Sequence, residues 1–317
     1  MDADTLDPLD RQLLHALHLD GRAPFATIAN VLGVSDRTVG RRVARLRATG
    51  AARVTAVVDN RATGSADWLV RLRVMPSGAG ALARALAGRP DTSWVTVLSS
   101  GTEIVCLVRA PAGAPAPLET LTRHPHIRDA YAHRVLRHLM NRRWAGRTSA
   151  LSDDQAAALQ APLSDNAAPI ALNDLDRRLL PALAADGRAG YPHLARSVGW
   201  SESAVRRRLE DLRRSGAVRF DVEADPALFG FSTQCLLWLT VAPPRLAVVA
   251  QAVAGDTETA FVGAITGAAN LLVIAVCRDE TALYAYLSDR IGALRGVERV
   301  ETAPITAYAK RVVPALP

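Results

Sequence analysis

The sequence is poor in the residues that build metal centres and membrane spans. Its three cysteines, Cys106, Cys235 and Cys277, lie far apart inside apolar runs, so we expect reduced core residues and neither a disulfide framework nor a metal site. No apolar run approaches the roughly 18 residues that a membrane-spanning helix needs. The acidic N-terminal residues are not followed by an apolar segment, which argues against a secretion signal and favours a cytoplasmic protein without a membrane partner.

Catalytic patterns are equally scarce. The sequence shows no Ser/His/Asp arrangement, no glycine-rich phosphate loop and no Cys/His spacing of a metal site. We therefore expect no catalytic residue, no cofactor and no bound metal.

Lysine is absent from the first 150 residues, which hold 21 arginines and 12 acidic residues and so carry a net charge of +9. The remaining residues carry a net charge of −2. This uneven distribution predicts that contact with a polyanion is concentrated in the first half of the chain.

The chain repeats itself at an interval of 166 residues. Residues 6–50 align with residues 172–216 without a gap, and 21 of those 45 pairs are identical. Such identity is far above chance and indicates a duplication. At 317 residues the chain also exceeds the usual size of a single domain.

Each copy of the repeat predicts three short helices. A capping residue, Asp7 or Asn173, opens the first helix, whose leucines recur at helical spacing. After a second helix of one to two turns, Gly33 or Gly199 forms a tight turn that leads to a serine N-cap of the third helix. This order of elements predicts a helix-turn-helix unit, which we call a head.

The third helix of the first head has a buried stripe and a basic face. Val39, Val43 and Leu46 recur at i, i+4 and i+7, and the opposite face is rich in arginine. Because the N-terminal part of this helix enters the major groove in helix-turn-helix proteins, we predict a DNA-binding surface; a charge run that only solvates a surface helix is the alternative. The predicted DNA-binding residues of the first head are Ser35, Arg37, Thr38, Arg41, Arg42 and Arg45.

The second head differs at the outward positions. Of three outward arginines in the first head, only the middle one has an arginine counterpart, Arg207, whereas Ser203 and Asp211 stand at the other two. Asp211 repels phosphates, although Glu202 can accept a hydrogen bond from cytosine. We predict DNA contacts from Ser203, Arg206 and Arg207. We expect the first head to contribute more affinity, and the second either to read a different half-site or to be mainly structural.

An alternating segment follows each head, Arg53 to Val58 or Arg219 to Glu223, and we expect it to form a wing. Beyond it, residues 68–139 and 234–310 each predict strand, helix, two strands, helix and strand, the order of a ferredoxin-like sandwich with helices on one sheet face. The other face of such a sheet needs a partner.

The predicted fold is therefore α+β, with two winged helix-turn-helix domains alternating with two ferredoxin-like (βαββαβ) domains. Residues 147–171 are rich in Ala, Ser, Asp and Pro and predict a linker, in which Ser152 and Gln155 cap a short helix. The predicted boundaries are 1–60 for the first winged helix-turn-helix, 61–146 for the first ferredoxin-like domain, 147–171 for the linker, 172–226 for the second winged helix-turn-helix and 227–317 for the second ferredoxin-like domain.

These features resemble the Lrp/AsnC (feast/famine) family of prokaryotic transcription regulators. The resemblance is carried by Leu9-Asp10-Arg11, Asp20-Gly21-Arg22, Gly33-Val34-Ser35 and Arg41-Arg42-Val43, each with a counterpart 166 residues later. An ordinary member is half this length, so the chain resembles a tandem fusion. The resemblance implies a sequence-specific transcriptional regulator of operator DNA, with ferredoxin-like domains for ligand binding and oligomerisation, and a homodimer or a larger assembly.

The resemblance also implies a small-molecule effector, such as an amino acid or a related metabolite, near a loop of the pattern Thr-Gly-x-x-Asp. An asparagine at the acidic position cannot neutralise an α-amine, and a plain β-turn without a ligand is the alternative. The candidate effector residues are Ser100, Gly101 and Glu103 in the first half and Thr266, Gly267 and Asn270 in the second.

Two other functions stay open. Siroheme decarboxylases resemble Lrp/AsnC proteins in fold and hold tetrapyrrole carboxylates with His and Arg, which directs attention to His124, His126, His133 and His138. Alternation along a strand puts His133 and His138 on opposite faces, which argues against a shared site. The other function is a DNA-bridging architectural protein that responds to no effector.

Overall fold

The computed structural model describes residues 6–58, 65–111, 113–115, 118, 124–139, 150–159 and 170–310. The chain divides into two compact units, and each unit combines stretches from both halves of the chain. Unit 1 comprises residues 1–65, 147–228 and 312–317, and unit 2 comprises residues 66–146 and 229–311. Both heads therefore fall in unit 1, and both ferredoxin-like segments fall in unit 2.

The elements are numbered in chain order. The helices are α1 (Pro8–Leu19), α2 (Phe25–Leu32), α3 (Asp36–Ala48), α4 (Pro76–Ala87), α5 (Asp153–Leu159), α6 (Asp174–Ala185), α7 (Tyr191–Val198), α8 (Glu202–Arg214), α9 (Leu246–Ala254) and α10 (Glu280–Ala285). The strands are β1 (Ala52–Val58), β2 (Ser65–Val74), β3 (Thr92–Leu98), β4 (Glu103–Pro111), β5 (Ile127–His138), β6 (Val218–Ala224), β7 (Thr233–Val241), β8 (Thr259–Ile265), β9 (Leu271–Cys277) and β10 (Val297–Lys310).

The three-helix order predicted for each head is confirmed. Helix α1 begins at the predicted cap, where the Asp7 side chain accepts from the Asp10 amide at 2.8 Å. Helix α6 begins at Asn173, which forms a reciprocal capping box with Asp176. The turn before α3 uses Gly33 at a φ of 66°, in the left-handed region that favours glycine. Its counterpart before α8 has a φ of 76°.

The segment predicted as a wing has a different partner. Strand β1 pairs antiparallel with β6, from Ala52 opposite Ala224 to Val58 opposite Val218. Each head therefore contributes one strand to a two-stranded sheet that joins the two heads, where a wing would have paired within one head. An isolated amphipathic strand leaves its backbone groups unpaired, and the duplicated strand satisfies them.

The two heads also exchange arginine contacts. Arg22 donates from Nη1 to the carbonyl of Gly187 at 2.7 Å and from Nη2 to that of Ala189 at 3.1 Å. Arg188 returns the same two bonds to the carbonyls 166 residues earlier, at 2.6 and 2.9 Å. Because burial disfavours the charged form, the pKa of Arg188 falls to about 10. We call this set of contacts the head junction.

Unit 2 contains the ferredoxin-like halves. In the second half β7, α9, β8, β9, α10 and β10 follow the predicted βαββαβ order, and α10 continues into a π-helical turn at Tyr286–Ile291. The first half supplies β2, α4, β3, β4 and β5 in the same order. Its second predicted helix, Leu118 to Arg123, lies outside the described residues apart from Leu118.

The final strand of each half crosses to the other half. Strand β5 pairs with β2 of its own half and with β8 of the second, while β10 pairs with β7 and with β3. The eight strands thus form one closed sheet in the order β10-β3-β4-β2-β5-β8-β9-β7. The partner that each sheet face needs is therefore the other half of the same chain.

The core of unit 2 has three parts that follow from strand alternation. On β2, Val70 and Leu72 face α4, whereas Leu69 faces the second half. A matching cluster lies under α9 in the second half. The shared inner cluster consists of Leu69, Trp94, Leu98, Val105, Leu236, Trp238, Ile265, Leu272 and Ala303.

The cysteines are free and buried, as predicted. Burial raises the pKa of Cys106 to about 12 and the pKa values of Cys235 and Cys277 to about 11. Thiols with such values are almost entirely protonated at neutral pH and therefore chemically inert.

Replacing Gly187 by alanine tests the head junction. A Cβ atom at this position would lie 2.9 Å from the backbone oxygen of Val54, which is fixed because it accepts the Gly187 amide at 2.8 Å. We expect Gly187→Ala to lower the free energy of unfolding by about 1–3 kcal/mol. Gly190→Ala is the matched control, since its Cβ would meet nothing closer than 3.8 Å. Denaturant melts measure both variants, and equal stability of the two would contradict the close packing.

Candidate nucleic-acid interface

Helix α3 presents two unengaged guanidinium groups. Arg37 and Arg41 are exposed and lie one turn apart on the same face. Within the described residues neither side chain has a hydrogen-bond or ion-pair partner. Ser35 caps the helix by accepting from the Thr38 amide at 3.1 Å, and the two hydroxyls lie 2.9 Å apart. The N-terminal half of α3 therefore offers cationic donors directly to solvent.

The other two predicted arginines of α3 are engaged inside the head. Arg42 donates to Asp10 at 2.8 Å and to Asp7 at 2.5 Å, and Arg45 reaches Asp10 at 2.5 Å. Asp10 is 2% exposed, so the loss of these partners would leave a buried carboxylate unpaired. The hydrogen bond to Arg42 holds the pKa of Asp7 below its usual range. Arg42 and Arg45 thus bind α3 to α1.

Sequence reasoning missed this ion-pair cluster, although a signal was present. Asp10 lies three residues before the buried Leu13 and so belongs to the apolar face of α1, where an unpaired carboxylate is costly. The second head repeats the arrangement, because Arg208 binds the fully buried Asp176 at 2.9 and 2.6 Å. An acidic residue retained on a buried helix face in both copies predicts a basic partner.

The exposed cations of α8 are largely compensated. Arg206 donates to Glu202 at 3.1 Å and lies 4.3 Å from the centre of the Tyr191 ring. Asp211 pairs with Arg214 at 3.0 Å. Ser203 is exposed, with its hydroxyl 3.2 Å from that of Ser201, and Arg207 is exposed without a partner among the described residues.

The third helix of each head, α3 or α8, forms an ion pair with the opposite head. Arg47 at the end of α3 binds Asp186 at 2.7 Å, and Arg213 at the end of α8 binds Asp20 at 3.0 Å. The two pairs are equivalent under the 166-residue repeat. They lie beside the head junction and link the C-terminal end of each third helix to the opposite head.

Within the described residues, the predicted linker braces the first head. Ser152 and Gln155 cap α5 reciprocally, as predicted. Gln155 donates to the carbonyl of Val31 at 3.0 Å, and the Leu151 amide donates to Nδ1 of the buried His15 at 3.0 Å. The second head has a proline where the first has His15, so it lacks this acceptor.

In the first candidate effector loop, the acidic side chain is bonded to an arginine. Glu103 accepts two bonds from Arg71, at 2.8 and 3.1 Å, and the same guanidinium binds Glu301 and lies 4.8 Å from the centre of the Trp238 ring. Burial alone would lower the pKa of Arg71, but the two carboxylates raise it above its ordinary value. Gly101 is buried, and the Ser100 amide donates to the Thr306 hydroxyl at 3.0 Å.

The second candidate loop is engaged as well. Asn270 accepts from the Val241 amide at 2.9 Å and donates to the Val241 carbonyl at 2.7 Å, so both ends of its side-chain amide are bonded. The carbonyl oxygen of Thr266 is hydrogen-bonded to Nδ1 of His133 at 2.7 Å. Gly267 has a φ of 117°, and a Cβ there would lie 2.5 Å from that ring.

The expectation that His133 and His138 face opposite sides of the sheet is wrong. His133 contacts Trp238 of the inner cluster, and His138 binds Asp67, which lies two residues before Leu69 of the same cluster. The pairing of β5 with β8 has a register shift between residues 135 and 137, and such a bulge reverses the alternation. The His124 and His126 rings lie 5.5 Å apart in the preceding turn.

Across the described ranges no group of three His, Cys, Asp or Glu side chains is arranged to hold a metal ion. None of the helices described there is both long enough and apolar enough to cross a bilayer.

Both heads and the second ferredoxin-like segment match models of known protein domains. Residues 6–47 and 172–213 match the AsnC-type helix-turn-helix domain, and residues 234–312 match the Lrp/AsnC ligand binding domain. The chain belongs to the Lrp/AsnC family of transcriptional regulators. Two Lrp/AsnC relatives illustrate the relationship. An uncharacterized HTH-type transcriptional regulator of Pyrococcus furiosus is 30% identical over 140 residues, 44% of this chain and 95% of the relative. LrpA of Pyrococcus horikoshii is 27% identical over 143 residues, 44% of this chain and 99% of LrpA.

A solved structure matches this Lrp/AsnC chain over nearly its whole length. The siroheme decarboxylase NirDL superposes with a TM-score of 0.64 at 14% identity, covering 98% of this chain and 94% of NirDL. The structure of NirDL with an iron-uroporphyrin III analogue gives a TM-score of 0.62. At this identity the match shows a shared fold.

Substituting the buried aspartate of the second head tests the ion-pair cluster. Asp176→Asn removes the charge that Arg208 neutralises, and we expect a loss of about 3–5 kcal/mol in unfolding free energy. Asp174→Asn is the control, because Asp174 is 83% exposed and pairs with Arg177 on the same helix, a contact worth about 0.5 kcal/mol or less. Similar denaturation midpoints for the two variants would contradict a structural role of Asp176.

Proposed function

We propose that the chain is a sequence-specific DNA-binding transcriptional regulator whose first head supplies the larger share of DNA affinity. The observation that carries the proposal is the free, exposed pair Arg37 and Arg41 on α3. Guanidinium groups at the N-terminal half of a recognition helix donate to guanine or to phosphate. In α8 the corresponding positions are Ser203 and Arg207, so one free guanidinium stands where α3 has two, and the additional Arg206 is already paired with Glu202.

The paired heads support a regulator that acts on one duplex with one chain. Ordinary helix-turn-helix dimers place two heads on half-sites one helical turn apart, roughly 34 Å or a multiple of it. Here the head junction and the β1–β6 sheet join two heads covalently linked in a single polypeptide. Further association into dimers of this chain stays a prediction.

Matched substitutions in the two heads test this proposal. On a DNA fragment recovered with the protein from the genome, we expect Arg41→Ala to weaken binding about 10- to 100-fold, because a lost arginine–guanine or arginine–phosphate contact costs about 1–3 kcal/mol. Arg207→Ala should weaken binding by less than about fivefold. Fluorescence anisotropy at several salt concentrations measures both and gives the salt slope.

Arg177→Ala serves as the control for a general loss of positive charge, since Arg177 is exposed on α6 and pairs with Asp174. Equal losses for the Arg41 and Arg207 variants would contradict the unequal heads. Failure of the wild-type protein to bind any genomic fragment would contradict the proposed function itself.

The polar groups of the candidate effector loops favour a regulator that does not depend on a free amino acid at these loops. A bound α-amine needs an unpaired acceptor, and a bound carboxylate needs free donors. Glu103 is already bonded to Arg71, and Asn270 is bonded at both ends to Val241. We also propose that the chain is not an enzyme: His133 and His138 are bonded to Thr266 and Asp67.

A ligand screen by thermal shift tests this part of the proposal. A ligand present at about 100 times its Kd stabilises a protein by about 2.7 kcal/mol, which shifts Tm by several degrees. We expect no such shift from the twenty amino acids at millimolar concentration, nor from siroheme, whose absorption spectrum should also stay unchanged. A Tm shift with an amino acid would contradict the proposal that these loops bind no amino acid effector. Conversion of siroheme would contradict the proposal that the chain is not an enzyme.

A further inference from the structure

The second head carries a group of side chains that the first head lacks. Arg206 stands where the first head has Gly40, and Trp200, which is 47% exposed, stands where it has Val34. Both positions belong to the turn and the first two turns of the recognition helix, the part that enters the major groove. A head that had become purely structural would not need a new exposed cation and a new exposed indole there.

The side chain of Arg206 is held in place from two sides. Its guanidinium lies 4.3 Å from the centre of the Tyr191 ring, within cation–π range, and donates from Nη2 to Oε1 of Glu202 at 3.1 Å. Arg22, which belongs to the head junction, lies 5.1 Å from the same ring centre, so the Tyr191 ring contacts both arginines. In the first head the corresponding ring, Phe25, faces Gly40 of α3 and so lacks the counterpart of Arg206, while Arg188 lies 4.4 Å from its centre.

This arrangement orients the carboxylate of Glu202. Only Oε1 is used by Arg206, so the lone pairs of Oε2 remain for another donor, and the side chain is 45% exposed. In the first head Asp36 is shorter by one methylene and its Oδ1 accepts from the neighbouring Arg37 amide at 2.7 Å. Among the described residues, α8 therefore carries an acidic acceptor paired with an arginine one turn later, an arrangement that α3 lacks because Gly40 stands at the arginine position.

We infer that the second head reads a base pair that the first head cannot read, with Glu202 as the specificity-determining residue and Arg206 as its positioning residue. The Glu202 carboxylate accepts from the exocyclic amino group of cytosine, which is the base that presents an amino donor to Glu or Asp in the major groove. The first head, with Arg37 and Arg41, reads guanine. Arg207 is the counterpart of Arg41, and the two half-sites differ at the base pair that Glu202 contacts. This inference rests on the proposed DNA-binding function.

Selection of binding sites from a random duplex library by the full-length protein tests the inference. We expect the wild type to enrich two unequal half-sites, with cytosine preferred about tenfold at one position of the second. Glu202→Gln should change that one preference from cytosine to adenine, because glutamine bonds adenine bidentately. The first half-site should stay unchanged. Arg206→Ala should weaken the cytosine preference without creating one for adenine, as expected for a residue that acts through Glu202.

Arg214→Ala is the matched control, since Arg214 is exposed on the same helix and paired with Asp211, but lies in its last turn. It should leave both half-sites unchanged. Two identical half-sites selected by the wild type, or a second half-site that Glu202→Gln leaves unaltered, would overturn the inference while leaving DNA binding intact. A wild type that enriches no sequence would overturn the proposed function and the inference together.

Discussion

The uncovered face of each four-stranded sheet is the constraint on which unit 2 depends. With helices on one side only, a ferredoxin-like sheet exposes side chains such as Leu69 and Trp94 on its other side, and their burial drives the two halves together. The crossing of β5 and β10 then removes the sheet edges that two separate halves would leave open. A duplicated chain satisfies both requirements internally.

In unit 1, polar groups join the two heads. The two arginine bonds that each head makes across the head junction are returned by the other head, through Arg22 and Arg188. These arginines bind carbonyl groups in a buried setting, which is why the pKa of Arg188 falls toward 10. Hydrogen bonds to charged groups contribute more than neutral ones, about 1.5–3 kcal/mol each, and at the junction this gain offsets the cost of burying two guanidinium groups.

Local chemistry made much of this fold predictable, and long-range pairing did not. Asp7, Asn173 and the Ser152–Gln155 box are complete within four residues, so sequence alone identified them. The partner of β1 is 166 residues away, and nothing in its alternation distinguishes a wing from an exchanged strand. A helical wheel placed Arg45 outward correctly by angle but did not include the reach of its side chain to Asp10. The face of His138 depended on a bulge that alternation ignores.

The one-sided brace at His15 shows what covalent duplication permits. In an assembly of identical subunits, any substitution occurs at both symmetry-related positions, so neither can specialise without changing the other. Here His15 accepts a hydrogen bond in the first head, while Pro181 stands at the equivalent position of α6 in the second head. Fusion therefore places two unlike heads in one chain, and a mutation can change either half independently of the other.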